Sequence, residues 1–355
     1  MGSLSALRRG SLVTVVLVFG FLTLLLLGIV VVVDFVLSAH AFPYTLLVVA
    51  GLAFLFMLLQ WLISPAIVRW AIRGRQEVTP QSNPWLTDTV TALAREAVVP
   101  VPRIWVSSDA SPNAFVFGRT VASSELVVTQ GLLDRLNADE VRAVIGHEIG
   151  HLRHRDVVTM TWVSAVPLLA YILARFGLEA LRGSGRSRGK GAGQAMIIAA
   201  LVAIVSYAIY FVTQLLVRYL SRTREYYADA YSAAATRDPH LLASALTKIS
   251  YGLSLARSDS EPSGLRAFFI GDPVKADRDY ADLRQRMDAV DLDRDGQLDA
   301  YELQRAIENE RRNHWQRANE LLSTHPPTFK RILMLEELEG EMKQGGLPAN
   351  LYKFV

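Results

Sequence analysis

Residues 11–33 run for 23 positions without a charged side chain. A stretch so long and apolar can satisfy its backbone only as a helix in lipid, where about 20 residues cross roughly 30 Å of hydrocarbon. Further apolar runs follow at 44–68, 157–174 and 195–217. The chain is therefore expected to cross a membrane several times, and any soluble part must fit between or after those runs. A cleaved signal peptide competes for the first run, because Ala39-His40-Ala41 imitates a cleavage site. A signal core spans only about 7–15 residues, so an uncleaved anchor fits better.

Charge gives the orientation. Arg8 and Arg9 precede the first run, and Arg69, Arg73 and Arg75 follow the second. The positive-inside rule places the N-terminus and everything from Arg69 onward in the cytoplasm of a cell-membrane protein. The run 157–174 is short and holds Thr159, Thr161, Ser164 and Pro167, so it fits a full span or a half-embedded helix. If the third and fourth runs both cross, the basic linker 182–194 lies outside, against that rule. In either case residues before 156 and after 218 share one side, as a shared metal site requires. A net charge of +3 gives no case for nucleic acid. The absence of Cys excludes disulfides, thiolate metal ligands and a Cys nucleophile.

Residues 76–155 carry a soluble pattern. An amphipathic helix is predicted at 85–98, and short strands at 104–106 and 126–129. Asn137 and Glu140, three apart, read as a capping box that opens a helix. On that helix His147 and His151 are four apart and leave one face, a spacing that suits two ligands of one tetrahedral zinc. Glu148 beside them suits the general base for a metal-activated water. A third ligand is needed. His154 is nearest in sequence, but three successive turns of a straight helix reach one ion poorly. Glu225 fits better, with Asp229 four residues on as the carboxylate that receives a ligand His N–H.

These residues resemble the HtpX-type membrane metallopeptidases, relatives of the CAAX prenyl endopeptidases. The likeness rests on His147-Glu148-Ile149-Gly150-His151, on Ser221 through Ala230, on Asn113-Ala114-Phe115, and on His325-Pro326-Pro327 with Arg331. It covers roughly 76–255 and 320–335. It implies zinc held by His147, His151 and Glu225, with Glu148 as base. It also implies that the strand of Asn113, Ala114 and Phe115 aligns a substrate backbone, that His325 and Arg331 contact substrate or stabilise the oxyanion, and that substrates are damaged membrane proteins.

One stretch departs from that pattern. Asp291, Asp293, Asp295, Gly296, Gln297, Asp299 and Glu302 occupy every position of an EF-hand calcium loop. The expected architecture is a mainly α membrane protein with a zincin-type α+β peptidase domain and an EF-hand. Residues 1–75 form the anchor, 76–255 the peptidase core with two further membrane helices, 274–313 the EF-hand, and 314–355 the C-terminal helical part. The expected function is a zinc endopeptidase acting on proteins or peptides in the bilayer, modulated by calcium. A prenyl-protein endopeptidase and a catalytically dead calcium-sensing scaffold are the rival readings.

Overall fold

The computed structural model describes residues 2–37, 42–184, 192–255 and 323–343. The chain opens with two long helices, α1 (Gly2–Leu37) and α2 (Phe42–Ala71). Next come strand β1 (Gln76–Glu77), helix α3 (Pro84–Glu96), strands β2 (Arg103–Ser107) and β3 (Ala114–Phe117), a 3-10 turn at Val121–Ser123, and strand β4 (Glu125–Thr129). The helices α4 (Gln130–Arg135), α5 (Ala138–Arg153), α6 (Asp156–Ser184), α7 (Ala192–Thr236), α8 (Pro239–Leu255) and α9 (Thr328–Lys343) complete the described chain. The EF-hand residues Asp291, Asp293, Asp295, Gln297, Asp299 and Glu302 lie outside the described residues.

Among the described residues, four segments are long and apolar enough to cross a membrane: Arg9–Val32, Tyr44–Ala71, Asp156–Gly183 and Met196–Thr236. The third exceeds the expected 157–174 because the helix carries its charges in local pairs. Glu179 lies 3.6 Å from Arg175 and 2.6 Å from Arg182, the helical spacings at which opposite charges support a helix. The fourth also differs from the sequence reading. The apolar run ends at 217, but α7 continues unbroken to Thr236 and carries Glu225 and Asp229 on its last turns. Buried Leu220, Tyr226, Ala228 and Ala233 sustain an inward face past the arginines.

The chain forms two compact units. The helical unit comprises Arg8–Ser64 and Thr159–Leu220. Its core packs Val18, Leu22, Ala53, Met57, Val163, Val166 and Leu220, while Leu12, Phe54, Phe176 and Ile204 face outward. An apolar exterior is what a lipid solvent permits.

The α/β unit contains Pro65–Val158 and the described residues from Ser221 on. Its four-stranded sheet has the order β1-β2-β4-β3. β2 and β4 run parallel, with Arg103 opposite Glu125 and Ser107 opposite Thr129. β3 pairs antiparallel with β4 and ends the sheet. Helix α3 starts where Asn83 Oδ1 accepts from the Leu86 N–H at 3.0 Å, and it buries Leu86, Val90, Leu93 and Ala94. These join Ile104, Leu126, Val128, Ile145, Ile149, Leu152, Leu246 and Leu335 in one core that fixes α5 from all sides.

Candidate metal centre

The capping box at the start of α5 forms as its sequence predicts. Asn137 Oδ1 accepts from the Glu140 N–H, and Glu140 Oε2 from the Asn137 N–H, both at 2.9 Å. The Glu140 carboxylate also accepts from Ser244 at 2.6 Å and pairs with Lys248 at 2.6 Å. The mouth of α5 is thus bolted to α8.

Small residues decide what approaches its other face. A Cβ on Gly150 would stand 3.0 Å from Ala228 Cα, and one on Gly146 3.3 Å from Ser232 Oγ. Ser232 donates to the Ala143 carbonyl at 2.6 Å. Glycine at mid-helix costs about 1 kcal/mol relative to alanine; here it lets two helix backbones nearly touch. That contact brings the Glu225 face of α7 onto the His147 face of α5.

The result is a buried triangle. His147 Nε2 and His151 Nε2 are 3.1 Å apart. Glu225 lies 3.7 Å from the first through Oε2 and 3.5 Å from the second through Oε1. These residues form a group whose ligand atoms can all lie within 4.8 Å of one another. A tetrahedral zinc with bonds of about 2.0–2.1 Å has ligand–ligand edges of about 3.4 Å, the scale on which the two Nε2 atoms and the Glu225 carboxylate are spaced. Oε2 of Glu225 is buried and accepts no hydrogen bond. His325 Nδ1 and Arg331 Nη1 lie 3.2 Å from it, near enough to pair in charge but out of hydrogen-bond alignment. A carboxylate oxygen so placed keeps a lone pair for a cation.

The outer partners set the tautomers. His147 Nδ1 lies 2.8 Å from Asp229 Oδ1, and His151 Nδ1 lies 2.8 Å from Asp156 Oδ2. With both Nδ1–H groups donated, both Nε2 atoms turn lone pairs toward the same point. Burial holds the His147 imidazole below its usual range, against the pull of Asp229. Burial acts on His151 too, but Asp156 and Glu225 hold its imidazole well above the usual range. A metal bound at the two Nε2 atoms displaces any proton held there. Burial pushes the Glu148 carboxyl up to about 8, and the Val116 N–H of β3 anchors it. The donor set of two imidazole nitrogens and one carboxylate fits zinc.

Arg331 is only 1% exposed. It donates to Asp229 through Nε at 2.8 Å and Nη2 at 2.6 Å. The resemblance gives it a substrate contact or a part in stabilising the oxyanion; in the structure its guanidinium lies against Asp229, Glu225 and His147. His325 is buried beside Glu225, and the chain there is held by an Arg222 donation to the Ser323 carbonyl at 2.8 Å. His154 does not join the triangle. It caps the C-terminus of α5 and its ring packs 5.2 Å from Tyr227. Asn113 is buried and tied to β4, its N–H donating to Thr129 Oγ1 at 2.8 Å, with Ala114 and Phe115 following on β3.

Two residues escaped the sequence reading. Asp156, at the first position of α6, orients His151, and Arg224 in turn grips Asp156. The available signals were an acid five residues past the second His and an arginine directly before Glu225.

The sequence model of Peptidase family M48 matches residues 80–339. A protein named Protease HtpX homolog from Aeropyrum pernix is 34% identical over 304 residues, covering 83% of this chain and 86% of that protein. Another of that name, from Methanothermobacter thermautotrophicus, is 41% identical over 215 residues, 61% of this chain and 78% of its own. Among solved structures, S. mikatae Ste24p aligns with a TM-score of 0.43 at 21% identity, over 72% of this chain and 60% of that one.

Proposed function

The chain belongs to peptidase family M48 and is a membrane metalloprotease, and on that premise we propose that His147, His151 and Glu225 hold one catalytic zinc and that Glu148 is the general base. The observation that carries the assignment is the triangle of two Nε2 atoms and one carboxylate, with buried Glu148 next in sequence to His147. Zinc bound there supplies Lewis acidity to a water and to the scissile carbonyl. Glu148 takes a proton from the attacking water and passes it to the leaving amine nitrogen as the C–N bond breaks. Its elevated affinity for a proton suits that shuttle.

His325 is proposed as the oxyanion donor, supported by a buried Nε2 without a hydrogen-bond partner. Arg331 and Asp229 position His147, and Asp156 positions His151. The segment Asn113-Ala114-Phe115, which leads into β3 at the end of the sheet beside the Val116 N–H that bonds Glu148, is proposed to align the substrate backbone. Membrane proteins are the proposed substrates, and the cytoplasm the proposed side, from Arg8, Arg9, Arg69, Arg73 and Arg75. Reporter fusions at residues 76 and 225 should both read cytoplasm. Calcium at 291–302 remains part of the proposal on its residue pattern alone, and Glu302→Gln should abolish calcium uptake measured by calorimetry.

The deciding experiment uses full-length protein in detergent. Glu148→Gln should retain one zinc per chain and lose about 10²–10⁴-fold in peptide hydrolysis. Glu225→Ala should lose the metal itself. Full zinc and activity in Glu225→Ala would refute the ligand set.

A further inference from the structure

The α/β unit holds a second polar cavity, of about 420 Å³. Its walls include Pro65 and Arg69 from the end of α2, Arg103 from the start of β2, and Arg119, Ser124 and Glu125 around the turn from β3 to β4. None of these belongs to the metal centre.

Charge is the first observation. Glu125 is the single acid among the lining residues, and both its oxygens are committed. Oε2 accepts from the Trp105 indole N–H at 2.8 Å, and Oε1 lies 3.4 Å from Arg69 Nε. Arg103 pairs with Glu77 only at 3.6 Å and with both side chains half exposed, a contact that water screens to little. Three guanidinium groups and one carboxylate give the lining residues a net positive charge. Guanidinium forks match the paired oxygens of a phosphate.

Rigidity is the second. Gly118 has φ +156°, and a Cβ there would meet the Ser123 carbonyl and Ser124 Cα at 2.9 Å. Thr120 and Ser123 lock the turn with a reciprocal capping box, and Ser124 donates to the Val121 carbonyl at 2.7 Å. The wall that carries Arg119 is therefore preformed, which limits the ordering cost of binding.

Position is the third. Arg69 directly follows the apolar run 44–68 on α2 and is held by the Pro65 carbonyl at 3.2 Å. Trp70 is 86% exposed, and Arg73 and Arg75 follow. An exposed Trp and a group of arginines at the end of a membrane helix mark the headgroup level.

We infer that this cavity binds the phosphate of an anionic phospholipid headgroup. A soluble phosphate shares that chemistry, but a wall built from the end of a membrane helix favours the lipid.

The test is native mass spectrometry of the full-length protein in non-ionic detergent, titrated with phosphatidylglycerol, phosphatidylcholine or inorganic phosphate. The first lipid retained should be phosphatidylglycerol in preference to phosphatidylcholine, and millimolar phosphate should not displace it. Each arginine near an anionic lipid contributes about fivefold, so Arg103→Gln/Arg119→Gln should weaken that first binding about thirtyfold. Ala122→Glu, a substitution at an exposed lining position, should weaken it as well and guards against a folding defect in the double variant. Equal binding of the two lipids, wild-type lipid affinity in Ala122→Glu, or saturation of the site by phosphate alone would each overturn the inference.

Discussion

Gly150 and Gly177 stand in different units and do the same physical thing. A Cβ on Gly150 would come 3.0 Å from Ala228 Cα, and one on Gly177 2.9 Å from the Ala203 N and 3.0 Å from the Ala199 carbonyl. Each lets two helices approach backbone to backbone. In the helical unit the gain is dispersion contact, the main source of helix association when the solvent is lipid. In the α/β unit the gain is chemical, because the contact delivers Glu225 to His147 and His151. What the units bury differs accordingly. Buried polar residues of the helical unit are Ser11, Thr14, Ser206 and Thr213 among the described residues. Thr14 and Thr213 bond back to carbonyls of their own helices, at 2.9 and 2.7 Å. The α/β unit buries Glu148, Glu225, Asp229 and Arg331, each inside a web of charge. Buried hydroxyls can be satisfied locally; buried charges need partners from distant sequence.

The sharpest way to break this contrast is to remove one partner from the web. Asp229→Ala leaves Arg331 buried without its bidentate carboxylate and His147 without its orienting acceptor. Stripping one member of a buried ion pair costs about 3–5 kcal/mol. The thermal midpoint and the zinc content should both fall. Thr213→Val in the helical unit should change neither appreciably. A stable, zinc-replete Asp229→Ala protein would show that the web is dispensable.

The glycines give a second, smaller comparison. Gly150→Ala and Gly177→Ala each insert a methyl where backbone stands, an overpacking effect of about 1–3 kcal/mol, offset in part by alanine's helix preference. Zinc affinity, measured by chelator competition, should drop in the first variant and hold in the second. Equal zinc loss in both would mean that close approach in α5 has no special role in metal binding.

These contrasts also mark what was legible in the sequence. The first span was, because 23 uncharged residues leave a chain no other option. So was α5, whose capping box and His spacing are local facts. The continuation of α7 past 217 was not, since Arg218, Arg222 and Arg224 look like the charged end of a span. Tertiary partners, the Ser323 carbonyl for Arg222 and Asp156 for Arg224, make two of them compatible with a packed helix. The sheet order was also hidden, because the parallel pairing of β2 with β4 places β3 on the outside and depends on the crossover. The burial of Arg331 against Asp229 was hidden as well, since its partner stands 102 residues away in sequence.

Asp156 offers a third test, confined to one imidazole. Asp156→Asn keeps an acceptor for His151 Nδ1 but removes the charge that Arg224 also holds. Loss of an outer partner of a metal ligand weakens metal binding about 10–100-fold. Zinc affinity should fall within that range with the fold intact, and an unchanged affinity would reduce Asp156 to a helix-start residue.

The smallest expected effect is a pH dependence that only one unit should show. Burial alone would raise the carboxyl of Glu140, but Lys248, Ser244 and the Asn137 N–H outweigh it and hold it below the usual carboxylate range. A carboxyl whose folded-state proton affinity is depressed stabilises the fold above its unfolded value and loses that contribution as pH falls through the folded one. Glu140→Gln should therefore destabilise the α5–α8 contact by about 1 kcal/mol at pH 7, since glutamine keeps the capping box but loses the charge facing Lys248. Below the folded value the wild-type carboxyl is protonated too, so the difference between wild type and variant should shrink toward zero in acid. Hydrogen-exchange protection of α5 and α8 amides at pH 7 and at an acid pH below the folded value, corrected for intrinsic rates, reads this directly. Helices α1 and α2 should show no such difference between the two proteins at either pH, because the residues they bury in the helical unit's core carry no titratable group. A wild-type-to-variant gap that persists unchanged below the folded value would mean that shape at position 140, rather than charge, joins α5 to α8.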